Sequence, residues 1–182
     1  QTGFCGSTSN GAFHVNANDG LSQVNNARWE RLFSPTVMIP ADSQWAEVEL
    51  DVCTDTEDDP AFNIQAFDGA FLRVFDATPG DTLRSVLAEA FASDFITGGL
   101  FHYPKHLPRS NNPAYFEDMS VWAGDSGGLR HVKIRLAGMA GTTVQLRFEF
   151  TQDEIFTCAN VRPGHACGVL IDNVKLTSFT AR

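Results

Sequence analysis

The stretch Gln44-Trp-Ala-Glu-Val-Glu-Leu-Asp-Val-Cys53 decides the fold class. Ala46, Val48, Leu50 and Val52 fall on one side of an extended chain; Glu47, Glu49 and Asp51 fall on the other. Successive side chains of a strand point to opposite faces, so this alternation describes a strand with one apolar and one charged face. Such strands build antiparallel sheets that bury one face and wet the other. Working outward, Val132, Ile134 and Leu136 alternate with His131, Lys133 and Arg135. Val144, Leu146, Phe148 and Phe150 alternate with Gln145, Arg147 and Glu149, and Ala137–Gly141 is the short connection between these two strands. The outward Glu47, Glu49 and Asp51 are expected to face Lys133, Arg135 or Arg147 across a sheet.

Earlier strands are expected at Ala12–Asn16 and Arg28–Ile39, the latter punctuated by Pro35 and Pro40. Ala61–Phe75 is apolar on both faces around Asp68-Gly69, which fits two strands joined by a turn or one central strand with a bulge. One segment departs from period two. Asp81 is placed to cap a helix in which Leu83, Val86, Leu87 and Ala90 recur at helical spacing. A short helical insert is therefore expected around residues 81–92, followed by a long loop from Thr97 to Asn112. No repeat or linker divides the chain, so residues 1–182 read as a single domain. The expected fold is all-β: an antiparallel β-sandwich with jelly-roll topology.

The 182 residues carry a net charge of −9, the wrong sign for coating phosphates, which excludes sequence-independent nucleic-acid binding. No apolar run reaches the roughly 18–20 residues needed to span a bilayer. The sequence starts at Gln1 and reads as a mature or excised segment of something longer. Cys5, Cys53, Cys158 and Cys167 allow two disulfides in three connectivities. Cys158 and Cys167 flank one short Pro/Gly loop, which pairs them and leaves Cys5 with Cys53; four reduced, buried thiols are the alternative. Their spacing does not suit structural zinc. Disulfides imply an oxidising, extracellular location.

Gly124-Asp-Ser-Gly-Gly128 resembles the surround of the nucleophilic serine in chymotrypsin-like proteases. That chemistry needs a histidine base oriented by a carboxylate. Of His14, His102, His106, His131 and His165, none stands in the small-residue and Cys context of the family's histidine. The Leu129–Leu136 alternation also begins at once, where the family runs into a pocket-lining strand. The motif reads better as a turn before a strand.

Three later stretches carry a different resemblance: Gly128-Leu-Arg-His-Val-Lys-Ile-Arg-Leu136, Ala140-Gly-Thr-Thr-Val-Gln-Leu-Arg-Phe-Glu-Phe150 and Gly168-Val-Leu-Ile-Asp-Asn-Val-Lys-Leu176. Together they resemble the accessory jelly-roll domains of secreted bacterial proteins, notably those of immune-inhibitor-A-type metalloproteases, and more broadly MAM-like sandwiches. Leu129 stands where those domains usually carry an aromatic residue. The resemblance implies a secreted sandwich that accompanies a hydrolase, and the relevant partners are a catalytic domain of the parent chain or an extracellular protein or glycan.

Strict alternation places Leu170, Asp172, Val174 and Leu176 on one face, aligning a carboxylate with core aliphatics. A buried carboxylate needs backbone donors, an Arg or a metal ion. Calcium takes six to eight oxygen ligands. Asn16–Gly20 and Asp55–Asp59 are able to supply them, which makes Asp172, Asn18, Asp19, Asp55 and Glu57 the candidate set. Related jelly rolls hold structural calcium through an Asp of the last strand, so the resemblance points the same way. The competing reading is a hydrogen-bonded Asp172 beside a solvated acidic loop. His102 and His106 flank Pro104, which forbids a regular helix, so they read as a surface loop. Tyr103, Tyr115 and Trp122 are candidates to stack on a sugar, against the plainer reading of aromatic anchors for core or loop. The expected function is a non-catalytic, secreted accessory or binding domain stabilised by calcium and disulfides. A carbohydrate-binding module is the first alternative and a serine hydrolase using Ser126 the second.

Overall fold

The computed structural model describes residues 4–6, 13–15, 28–56, 68–77, 84–87, 95–97, 105–106, 120–152 and 168–180. Among the described residues eleven strands run in chain order: β1 (Phe13–Val15), β2 (Arg28–Met38), β3 (Ser43–Asp55), β4 (Gly69–Asp76), β5 (Arg84–Leu87), β6 (Phe95–Thr97), β7 (Lys105–His106), β8 (Ser120–Val121), β9 (Arg130–Leu136), β10 (Thr143–Gln152) and β11 (Gly168–Thr180). They form a five-stranded sheet, β1-β11-β3-β9-β6, a four-stranded sheet, β2-β10-β4-β5, and the small pair β7-β8. All pairings are antiparallel. The protein is thus all-β across the described residues.

The alternation of the sequence is the packing pattern of the sheets. Ala46, Val48, Leu50 and Val52 of β3 are fully buried, as are Val132, Ile134 and Leu136 of β9. They join Val144, Leu146, Phe148 and Phe150 of β10 and Ala70, Leu72 and Val74 of β4 in one core drawn from both large sheets. On the other face of the five-stranded sheet, Lys133 lies opposite Glu49 and also reaches Glu47 at 3.4 Å. The Lys133 ammonium holds the Glu49 carboxyl below the usual carboxylate range, and Glu49 holds that ammonium above the usual lysine range. Arg135 lies opposite Glu47 in the ladder, as expected. Its guanidinium sits over the Trp45 ring, which stacks on Phe179 at 5.1 Å. Arg147 belongs to the other sheet, so it cannot answer Glu47 or Glu49. It stands 3.8 Å from the Phe75 ring and 4.5 Å from that of Phe33.

Gly69 opens β4, with Asp68 at the bend before it, and this strand is central, between β10 and β5. Both of its faces are covered, which explains its two-sided apolar sequence. A 3-10 turn at Phe4–Gly6 carries Cys5, which is bonded to Cys53 of β3. Cys158 and Cys167 lie outside the described residues.

Two expectations fail. The helical insert is not present where it is described: Arg84–Leu87 is strand β5, in which Val86 pairs with Val74. Leu83, Val86, Leu87 and Ala90 suit a helix in isolation, but the open edge of β4 offers ladder hydrogen bonds and a partner for Val86. Residues 81–83 and 88–92 lie outside the described residues. The second failure is strict alternation in β11. The ladder slips by one residue between Asp172 and Lys175, where Asn173 takes φ 52°. This bulge splits the set of four. Val174 and Leu176 line the inner side, whereas Leu170 packs against Cys5 and Cys53 outside the main core and Asp172 lies opposite Asp51. No helix among the described residues is long and apolar enough to cross a membrane.

Candidate functional site

The Gly124–Gly128 loop leads into β9 and is stitched to the end of β3. Asp125 accepts a hydrogen bond from the Gly127 N–H at 2.7 Å, an Asx turn. Gly127 at φ 66° and Gly128 at φ 121° occupy backbone conformations that glycine adopts without a Cβ clash. The turn aims Ser126 inward, leaving it 5% exposed. Its Oγ accepts from the Thr54 N–H at 3.0 Å and lies 2.8 Å from the Gly128 carbonyl oxygen and 3.2 Å from that of Thr54. The Ser126 N–H donates to the Thr54 carbonyl at 2.9 Å, and the Gly124 N–H donates to Thr56 Oγ1 at 2.9 Å. Ser126 therefore closes the backbone at the end of β3.

His131 Nδ1 is 2.8 Å from Asp51 Oδ1 on the charged face, with the His131 side chain half exposed. The backbone of His14 is opposite Leu170 in the β1–β11 ladder, and His106 is in β7. His102 and His165 lie outside the described residues. Among the described residues, the hydrogen-bond partners of Ser126 include no imidazole.

Asp172 is the main correction to the site read from sequence. It shares the outer face with Asp51, not the core face. Asp172 Oδ1 accepts from the Asn173 N–H at 2.8 Å, and Asn173 Nδ2 donates to Asp51 Oδ2 at 2.7 Å. The burial that called for a cation at Asp172 is absent. Asp55 lies at the far end of the same strand pair, opposite Gly168, and forms a bridge with Asp125. Asp55 and Asp51 are four positions apart on β3, which at about 3.3 Å per residue is roughly 13 Å. Calcium–oxygen bonds of about 2.3–2.6 Å cannot join Asp172 and Asp55 through one ion. Asn18, Asp19 and Glu57 lie outside the described residues. Among those described, no three metal-ligating side chains gather.

Trp122 is fully buried in the main core, and its backbone exchanges hydrogen bonds with Ala70. Its ring thus anchors the loop to β4 and offers no face to a sugar. Tyr103 and Tyr115 lie outside the described residues.

One open apolar feature was not read from the sequence. A groove of about 270 Å³ lies where β2 and β10 of one sheet meet β11 of the other. Pro35, Val37, Val144, Leu146, Val174 and Leu176 line it. Val37 and Val174 are 43% and 42% exposed. Both walls are sheet edges. β2 is an end strand, and β1 pairs only with Val169–Ile171, so β11 has no outer neighbour beyond Ile171 among the described residues. A bulge in β2 opposite Leu146 accommodates Pro35, which has no N–H to give the ladder; the Ser34 hydroxyl accepts from the Leu146 N–H instead. Pro35 and Asn173 are the local signals of these irregular edges.

No protein-family model matches the chain, and no curated protein matches it closely enough to count as a relative.

Proposed function

We propose that the chain is a non-catalytic binding module of a larger secreted protein, with its two large sheets stacked as a jelly-roll β-sandwich. The successive crossings β2–β3–β4 and β9–β10–β11 between sheets support that topology, and the shared core supports the stacking. The Cys5–Cys53 bridge suits secretion. The engagement of the Ser126 hydroxyl with the backbone supports a structural rather than nucleophilic serine.

The observation that carries the binding role is the apolar groove between two sheet edges. Its occupant is an extended segment of a partner protein, such as the catalytic domain this module accompanies, with aliphatic side chains at alternate positions. β1 already pairs antiparallel with β11 along this edge, so an incoming strand continues a ladder that the chain itself begins. Main-chain hydrogen bonds to an edge supply affinity, and pockets for alternate side chains supply selectivity.

The test is selection of displayed random peptides on the wild-type chain and on Val174→Arg. Val174 lines the groove and is part-exposed, so the variant changes the groove and spares the core. Selected peptides should alternate apolar and polar residues and lose at least about tenfold in affinity for Val174→Arg, the effect of placing an unpaired charge in an apolar contact. Peptides indifferent to Val174→Arg, or retention of glycans on an array with no peptide recovered, would reject the groove reading.

A further inference from the structure

We propose that the Cys5–Cys53 bridge is a thiol-exchange site, opened at Cys5 by a dithiol reductant while Ser126 stabilises the departing Cys53 thiolate. This is independent of the binding role of the groove.

Three observations point there. First, the two sulfurs are unequally reachable: Cys53 is 2% exposed and packs with Leu170, while Cys5 is only half-buried, in a short turn at the surface. An attacking thiolate therefore meets Cys5 first, and the sulfur that is attacked fixes which one leaves. Second, Ser126 Oγ lies 3.0 Å from Cys53 Sγ. In the intact bridge the hydroxyl proton has two carbonyl oxygens within reach, those of Thr54 and Gly128. A sulfur bearing a full negative charge is the stronger acceptor, because hydrogen bonds to ions are about twice as strong as neutral ones. The hydroxyl is thus placed to swing to Cys53 as the charge develops. Third, Cys5 sits at φ 56°, a left-handed conformation that is uncommon outside glycine. Opening the bridge frees that backbone to relax.

The exchange balances. One thiolate of the reductant attacks Cys5 Sγ; a new S–S bond forms there, and the Cys5–Cys53 bond breaks with its electron pair on Cys53 Sγ. The second thiolate of the reductant attacks the reductant's own sulfur in that mixed disulfide and expels Cys5 as a thiolate. The reductant leaves as a cyclic disulfide, oxidised by two electrons. Its two protons, passed through solvent, end on Cys5 and Cys53. The product releases the Phe4–Gly6 turn from β3.

The experiment follows bridge opening in dithiothreitol by thiol labelling and mass spectrometry, in the wild type and in Ser126→Ala. Loss of a hydrogen bond to a charged leaving group should slow opening by about tenfold or more. The sign separates this from mere packing. A variant that only loosens the end of β3 would expose the bridge and speed its opening. In parallel, the unaltered protein is treated with glutathione and the adduct is mapped, which needs no variant to fold. The adduct is expected on Cys5. An unchanged or faster rate in Ser126→Ala, or an adduct on Cys53, overturns the proposal.

Discussion

Asn173 takes a left-handed backbone, and this one residue sets where its neighbours point. Asp172 precedes the bulge and faces outward opposite Asp51, under the amide of Asn173; the extra residue brings Val174 and Leu176, which strict period two would have left on that outer side, back to the inner one. The Asn173 N–H contact that Asp172 makes needs only an acceptor oxygen, which an amide in its place also carries. Asp172→Asn should change unfolding free energy by no more than about 0.5 kcal/mol, the usual range for a surface substitution. Melting curves should give the same difference in millimolar calcium and in excess EDTA. Destabilisation seen in calcium alone would bring back an ion at this position.

At the level of the strand, β4 is the most constrained element, because it is covered on both faces and its start runs against β8. A Cβ built on Gly69 would stand 2.6 Å from Val121 Cγ2 and 3.2 Å from the Trp122 carbonyl oxygen. Glycine is there for closeness of approach. Gly69→Ala should cost about 1–3 kcal/mol through overpacking; because the Val121 Cβ would itself stand 2.7 Å from the new methyl, it is Val121→Gly in the same chain, which removes both close atoms, that should recover part of it. Urea denaturation of the two single variants and the double variant reads the coupling. The strands β3, β9 and β10 were legible in the sequence because each has one partner-independent face, so local alternation equals final burial. β5 was not: Val86 and Leu87 fit either period, and the ladder to β4, which the local pattern does not show, decides. The bulges at Ser34–Pro35 and Asn173 were equally opaque, since one extra residue alters no composition. The role of Ser126 was hidden for the same reason as β5. Its letters spell a familiar turn, but its partners, Cys53 and Thr54, lie 73 and 72 positions back.

Taken as a whole, the molecule closes a long loop early. The Cys5–Cys53 bridge spans 48 positions and ties the start of the chain to the middle of the five-stranded sheet. Restricting a loop of that size in the unfolded chain corresponds to about 4 kcal/mol at most in the chain-entropy account, with about 2–4 kcal/mol usual in practice. The Cys5→Ala/Cys53→Ala double variant should lose stability in that range, read from the shift of its urea midpoint at constant slope. A midpoint equal to that of the wild type would mean that the unfolded chain gains nothing from release. The end of the chain is built on a different logic. β11 behaves like a text with one surplus letter. Val169 and Ile171 are inward at odd numbers, Val174 and Leu176 at even ones, and Asn173 is the letter that shifts the frame between them. Remove that single residue and every inward side chain keeps its side, so the final strand can be shortened by one without being turned inside out.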